Sequence, residues 1–141
     1  MRSNHLAATL LMFVLPGLVA GIALAGTAAD PAEAAARTWL ASADSLDGAE
    51  TWRLAAPVFQ QHISAEQWQQ ALSGARGPLG ALKSRTLASL THRTNLPGVP
   101  DGDYVVMQFQ VEFEHKTSAL ETVTTAKQPD GSWRVAGYFI K

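Results

Sequence analysis

The sequence predicts an α+β domain in which three N-terminal helices pack on a four-stranded antiparallel meander sheet. Two observations predict this class. Apolar residues recur at helical spacing up to about residue 74, and from residue 82 they alternate along strand-like runs. The connections are short and the helices precede the strands, which favours an antiparallel sheet with one face covered by helices.

The first 25 residues have the features of an export signal. Arg2 precedes an uncharged, mostly apolar run from Leu6 to Ala25, whose last three residues match a small-residue cleavage pattern. We expect a signal peptide over residues 1–25, cleaved there or as late as residue 29, and a single domain over residues 30–141. The protein is then periplasmic or secreted, with no membrane contact after cleavage. An uncleaved anchor is the alternative, because an apolar run of this length can span a bilayer.

The composition excludes several classes of function. Without Arg2, ten basic residues stand against 12 acidic ones, and this charge of −2 argues against nucleic acid as a partner. The chain has no cysteine, which excludes disulfides and a cysteine nucleophile. His62, His92 and His115 lack the spacing of metal ligands. We therefore predict neither a metal nor a cofactor.

Helix-start signals and apolar stripes locate the three helices. They begin at Asp30-Pro31, at Ala49 and at the capping box of Ser64 with Gln67. Pro57 interrupts the second helix, and Gly74, Gly77, Pro78 and Gly80 make continuation of the third helix unfavourable.

Four runs are predicted to form strands: 82–93, 104–113, 120–127 and 132–140. The second is the most regular, because every odd position from Val105 to Phe113 is apolar. Since side chains alternate along a strand, one face of this strand supplies the core. Asp130-Gly131 marks the last hairpin turn.

Several motifs resemble those of the DUF4019 family of uncharacterised exported bacterial domains. They are Trp68…Arg76-Gly77-Pro78-Leu79-Gly80…Ser84-Arg85, Pro100-Asp101-Gly102-Asp103-Tyr104, Glu121-Thr122 and the closing run from Asp130 to Tyr138. The resemblance covers roughly residues 32–140 and implies an exported domain without an assigned activity. More loosely, helices followed by a curved antiparallel sheet resemble the cystatin-like or NTF2-like cone, an analogy of fold only.

Arg76 and Arg85 are the first candidates for ligand binding. They flank a Gly-Pro-Leu-Gly connection, and an arginine pair near a turn can clamp a carboxylate. The alternative is structural: one of the two arginines pairs with Glu66, Asp44 or Glu121, or binds the carbonyl groups at the end of a helix.

Trp68 and Tyr138 complete the candidate ligand-binding set. A cavity among the tryptophans suits a small apolar molecule, while the alternative is that Trp39, Trp52 and Trp68 are core residues.

A second surface of interest is the outer face of the sheet. Strand parity predicts an apolar patch there, formed by Tyr104, Val106, Ala136, Tyr138 and Ile140. Such a patch suggests a homodimer.

Together these features predict a non-catalytic module that binds a small apolar or carboxylate ligand or another protein. The inner face of the central strand has no titratable residue, which argues against catalysis. The alternative is a cone-fold enzyme with Asp44 or Glu121 as the acid/base in a pocket between helices and sheet. A carboxylate at the bottom of an open pocket would distinguish that enzyme from a binding module.

Overall fold

The computed structural model describes residues 30–141. The predicted signal peptide and its cleavage site lie outside these residues. Within them the helices precede the strands, and the predicted α+β class with an antiparallel meander is confirmed.

Four α-helices form the first half of the domain. They are α1 (Pro31–Asp44), α2 (Gly48–Leu54), α3 (Pro57–His62) and α4 (Ala65–Arg76), and the 3-10 turn Gly77–Leu79 follows. Asp30 caps α1, and the predicted capping box of Ser64 and Gln67 starts α4. The short α3 is an addition to the prediction, since Pro57 starts a new helix after interrupting the previous one.

Four strands follow in the order β1-β2-β3-β4, each antiparallel to its neighbours. They are β1 (Leu82–Arg93), β2 (Tyr104–Phe113), β3 (Lys116–Lys127) and β4 (Trp133–Ile140). Three agree closely with the predicted ranges, whereas β3 begins four residues before Leu120 because a tight turn joins it directly to β2.

The core lies between the helices and the inner face of the sheet. As predicted, the alternate residues of β2 from Val105 to Phe113 are at most 2% exposed. The helices cover this face with one side of α1, including Trp39 and Leu40, and with Trp68 and Leu72 of α4.

β4 contains an irregularity that changes which side chains face the helices. Val135 and Gly137 pair with successive residues of β3, so Ala136 is an extra residue in β4. Val135 and Tyr138 therefore lie on the same face although they are three positions apart, and both pack with the inner core.

The predicted outer apolar patch is wrong, because the extra residue Ala136 reverses the faces of the residues that follow it. Tyr138 and Ile140 pack against the inner core rather than lying outside. Tyr104 is 6% exposed, since Leu96 and Val99 pack against the small cluster that contains it. A homodimer through the outer face stays a prediction, without the patch that suggested it.

Candidate functional site

Four charged residues from four elements meet at one end of the core, and we call them the charge cluster. They are Asp44 at the end of α1, Arg76 at the end of α4, Arg85 in β1 and Glu121 in β3. The carboxyl end of a helix disfavours a carboxylate and favours a cation. Asp44 therefore depends on the arginines for its stability there, whereas Arg76 is well placed.

The turn between α4 and β1 sets the spacing of the two arginines. Gly80 has a φ of 75°, a conformation that favours glycine. A Cβ at this position would lie 2.8 Å from the His115 ring and 3.0 Å from Glu114. The Gly-Pro-Leu-Gly connection thus needs glycine at this position to bring β1 under the end of α4.

Arg85 contacts both acids of the charge cluster. Its two terminal nitrogens donate to the two oxygens of Asp44 at 2.9 and 2.8 Å, and its Nε donates to Glu121 Oε1 at 2.7 Å. Such a bidentate contact is the strong geometry for an arginine with a carboxylate. Arg85 therefore ties α1 and β3 to β1.

Arg76 makes a second set of contacts with the same acids. Its Nη2 donates to Asp44 Oδ1 at 2.7 Å, and Nη1 lies 3.5 Å from Glu121 Oε2. Its guanidinium also lies over the Phe113 ring, 4.7 Å from the centroid, in a cation–π contact. Tyr138 donates its hydroxyl proton to Glu121 and accepts from Arg76 Nη1 at 3.3 Å.

Three of the four charged side chains are largely buried, Asp44 is partly exposed, and the charges neutralise one another. The side chains of Glu121 and Arg76 are 0% and 2% exposed, Arg85 is 9% and Asp44 is 22% exposed. Two cations and two anions leave no net charge, and buried charges persist when they are paired and hydrogen-bonded in this way.

Burial and pairing shift the pKa values of Asp44, the two arginines and Tyr138. Burial raises the pKa of Asp44, but the hydrogen bonds from Arg85 and Arg76 outweigh it and lower the pKa below its ordinary value. Burial lowers the pKa of each arginine, but its neighbours outweigh burial and the pKa is raised. For Arg85 these neighbours are Asp44 and Glu121, and for Arg76 they are Tyr138, Asp44 and Glu121. Burial and the neighbouring Glu121 raise the pKa of Tyr138. Asp44 therefore stays ionised and Tyr138 stays protonated near neutral pH.

An aromatic layer of Tyr138, Trp39 and Trp68 lies next to the charge cluster. Tyr138 packs against Trp39 at 5.2 Å and against Trp68 at 6.3 Å between ring centroids. Thr51 of α2 anchors both tryptophans, because its backbone oxygen accepts from Trp39 Nε1 at 2.9 Å and its hydroxyl accepts from Trp68 Nε1 at 2.8 Å.

A small apolar groove lies beside this layer, between α4 and β4, and we call it the edge groove. Its volume is about 230 Å³. It is lined by Trp68, Ala71, Leu72, Ala75, Tyr138, Phe139 and Ile140. Two of the four predicted ligand-binding residues, Trp68 and Tyr138, thus line an open apolar site.

A larger cleft of about 400 Å³ lies between α1 and the β3–β4 hairpin. It is lined by Ala35, Thr38, Trp39, Leu54, Asp130, Ser132, Trp133, Arg134 and Val135. None of the four predicted ligand-binding residues belongs to this lining.

The four predicted ligand-binding residues lie in two adjoining places. Arg76 and Arg85 belong to the charge cluster, and Trp68 and Tyr138 line the edge groove. Arg76 and Arg85 contact Asp44 and Glu121, which is the ion-pair alternative. Sequence reasoning missed Thr51, since a single threonine in a short helix carries no signal of its contacts. Within residues 30–141, no three metal-ligating side chains lie together, and no helix is long and apolar enough to cross a membrane.

Fold and site define a small α+β domain with a self-neutralised interior charge cluster behind an apolar groove. The chain belongs to the family described as "Protein of unknown function (DUF4019)", whose model matches residues 35–138. A comparison with curated proteins finds no match.

Proposed function

We propose that this chain is a non-catalytic module, exported to the periplasm or secreted by bacteria, that binds an apolar group in the edge groove. The observation that carries this proposal is the division of roles around Tyr138. Its ring lines the groove, while its hydroxyl is held by Glu121 and Arg76 behind it. The exposed side of the site is therefore apolar, and the charged side faces inward.

The charge cluster supports binding over catalysis. A general acid or base works best when its pKa lies near the operating pH and it reaches a substrate. The pKa of Asp44 is lowered, away from neutrality, and both of its oxygens accept hydrogen bonds from arginine. Glu121 is fully buried and accepts from Arg85 and Tyr138. An enzyme using either acid is the weaker alternative.

A fluorescence titration with the uncharged apolar dye N-phenyl-1-naphthylamine tests the proposal. We expect saturable binding to the wild-type protein and, for Ala75→Leu, an affinity at least about tenfold lower, equivalent to about 1.4 kcal/mol, because the new side chain fills the groove. Ala41→Leu is the matched control, since Ala41 is an exposed helical alanine outside the groove. Equal dye affinity in all three proteins, or no saturable binding, would overturn the proposal.

Export is tested separately by expressing the full chain in a bacterium. The proposal expects a protein in the periplasm or medium whose mass shows removal of 25 to 29 residues. A membrane-bound product that keeps Arg2 and the apolar run would instead support the uncleaved anchor.

A further inference from the structure

β4 is an edge strand, and its pairing with β3 shows which backbone groups remain free. Leu120 and Lys141 exchange two backbone hydrogen bonds, of 3.1 and 3.0 Å. In an antiparallel ladder such pairs alternate, so Phe139 also points its backbone groups toward β3. The N–H and C=O groups of Tyr138 and Ile140 consequently point to the free edge.

The open part of this edge is short and well defined. At its beginning, the Ala56 N–H donates to the Val135 C=O at 2.7 Å, so the start of α3 closes that position. Among the described residues, no backbone hydrogen bond from a turn or loop engages Tyr138 or Ile140. Two alternate residues of the strand, Tyr138 and Ile140, thus have unused donors and acceptors on the same edge.

The two edges of the sheet are protected very differently. β1, the other edge, carries Lys83, His92 and Arg93 and has two register irregularities, which are the usual devices against unwanted strand pairing. β4 has no charged residue from Val135 to Ile140, and Phe139 is 53% exposed. The part of β4 that follows the irregularity at Ala136 therefore lacks both the charges and the register irregularities that protect β1.

The free edge runs along the edge groove. Tyr138 and Ile140 contribute both the free backbone groups and part of the groove wall. On the opposite wall, Ala71 and Ala75 are small and exposed, so an extended chain can approach closely. A volume of about 230 Å³ is below the roughly 300 to 1,000 Å³ of drug-sized ligand sites, and it suits one apolar side chain.

We propose that an extended apolar segment of a partner protein adds to β4 as a fifth strand. Its backbone pairs with Tyr138 and Ile140, and one of its apolar side chains enters the edge groove, the mode known as strand addition. Lys141 is exposed at the end of the open edge, so an acidic residue near one end of the segment is complementary. This proposal rests on the proposed function, because it specifies the occupant of the same groove.

The size of the surface argues for a short segment over a second copy of this chain. Two residues with free backbone groups and a groove of about 230 Å³ offer little surface for a stable dimer, since specific, stable interfaces bury roughly 1,200 Å² or more. A small apolar molecule would make no hydrogen bonds to the N–H and C=O groups at the edge, which would remain bonded to water alone. An extended segment satisfies both the backbone groups and the groove.

The test is a selection of phage-displayed random dodecapeptides on the exported, purified protein. We expect enriched peptides with a central apolar residue and an Asp or Glu near one end. Ile140→Pro should weaken their binding at least about tenfold relative to Ile140→Ala, because proline removes the edge N–H whereas alanine removes only the side chain. Circular dichroism checks that both variants fold.

A second measurement leaves the protein unchanged. The best peptide is synthesised with N-methyl groups on alternate residues, in both registers. Strand addition predicts that one register abolishes binding and that the other retains it. Equal binding of both methylated forms, or of both Ile140 variants, would overturn the proposal.

The outcomes separate this inference from the proposed function. Saturable binding of N-phenyl-1-naphthylamine without any enriched peptide would keep groove binding and remove strand addition. If neither the dye nor any peptide binds, both groove binding and strand addition are overturned. A concentration-dependent dimer that Ile140→Pro makes monomeric would place a second copy at the edge and would contradict the partner-segment proposal.

Discussion

Arg85 binds Asp44 through both of its terminal nitrogens, at 2.9 and 2.8 Å, and so ties the first strand of the sheet to the end of the first helix. The same guanidinium holds Glu121 through Nε. Arg85 therefore bonds both acids, and Arg76 supplies the second positive charge, at 2.7 Å from Asp44 and 3.5 Å from Glu121.

Replacing Arg85 by methionine should destabilise the fold strongly. The change leaves two buried carboxylates with one cation, and breaking a buried pair in this way typically costs about 3–5 kcal/mol. The free energy of unfolding in urea measures the loss. Arg53→Met is the control, because Arg53 pairs with Glu50 on the surface and its loss should leave the urea midpoint unchanged. Equal midpoints for both variants would contradict a structural role for Arg85.

The Asp44 carboxylate should make stability depend on acid pH. Its pKa in the fold lies below its ordinary value of about 4, so its stabilising contribution is complete above about pH 4. That contribution is lost as the pH falls through the lowered value. The free energies of unfolding of the wild type and Asp44→Asn are measured in urea from pH 7 to 2. Their difference should become smaller as the pH falls. A difference independent of pH would contradict the predicted ionisation.

Tyr138→Phe should weaken the domain by about 1.5–3 kcal/mol, since the hydroxyl contacts two charged groups. The pKa of Tyr138 is raised in the fold, so its contribution is complete below about pH 10 and falls as the pH rises toward the raised value. Unfolding measured from pH 8 to 11 should therefore show the two proteins converging only above about pH 10. If the unfolding free energies of the two proteins converged at a lower pH, burial would not be keeping the Tyr138 hydroxyl protonated.

Thr51→Val should cost about 1–3 kcal/mol, because it leaves the buried N–H of Trp68 without its acceptor. Thr38→Val is a matched control, since the Thr38 hydroxyl donates to a backbone oxygen of its own helix at an exposed position. In thermal unfolding, Thr51→Val should have a clearly lower midpoint temperature than Thr38→Val. A loss from Thr38→Val as large as that from Thr51→Val would argue against the Thr51 anchor.

Gly80→Ala should destabilise more than Gly98→Ala. Both glycines have positive φ, at 75° and 81°, so both substitutions introduce the backbone strain of about 1 kcal/mol or more. Only at Gly80 does the new Cβ also meet the His115 ring, whereas Gly98 has open space around it. The difference between their unfolding free energies isolates that contact. Equal losses would show that the loop relaxes.

The sequence predicted most of the fold because its signals are local. The alternation in β2, the capping box at Ser64 and the turn at Asp130-Gly131 each depend on neighbouring residues. The face of Tyr138 was mispredicted because one extra residue, Ala136, reverses the parity of everything after it.

The charge cluster could be predicted only in part. Asp44 and Glu121 were among the candidate partners of Arg76 and Arg85, but sequence separations of 32 to 45 residues hide which pairs form. Thr51 and the open edge of β4 depend on tertiary packing and register, and neither has a sequence signature.

The most direct test asks whether the groove or the arginines decide binding. Competition against N-phenyl-1-naphthylamine compares 1-naphthoate with its neutral counterpart 1-naphthamide. Because the arginines are already paired with Asp44 and Glu121, the two compounds should bind with affinities within about twofold, less than about 0.5 kcal/mol apart. A preference for naphthoate of tenfold or more that Arg85→Lys removes would contradict this account, since it would show that the arginines bind the ligand's carboxylate.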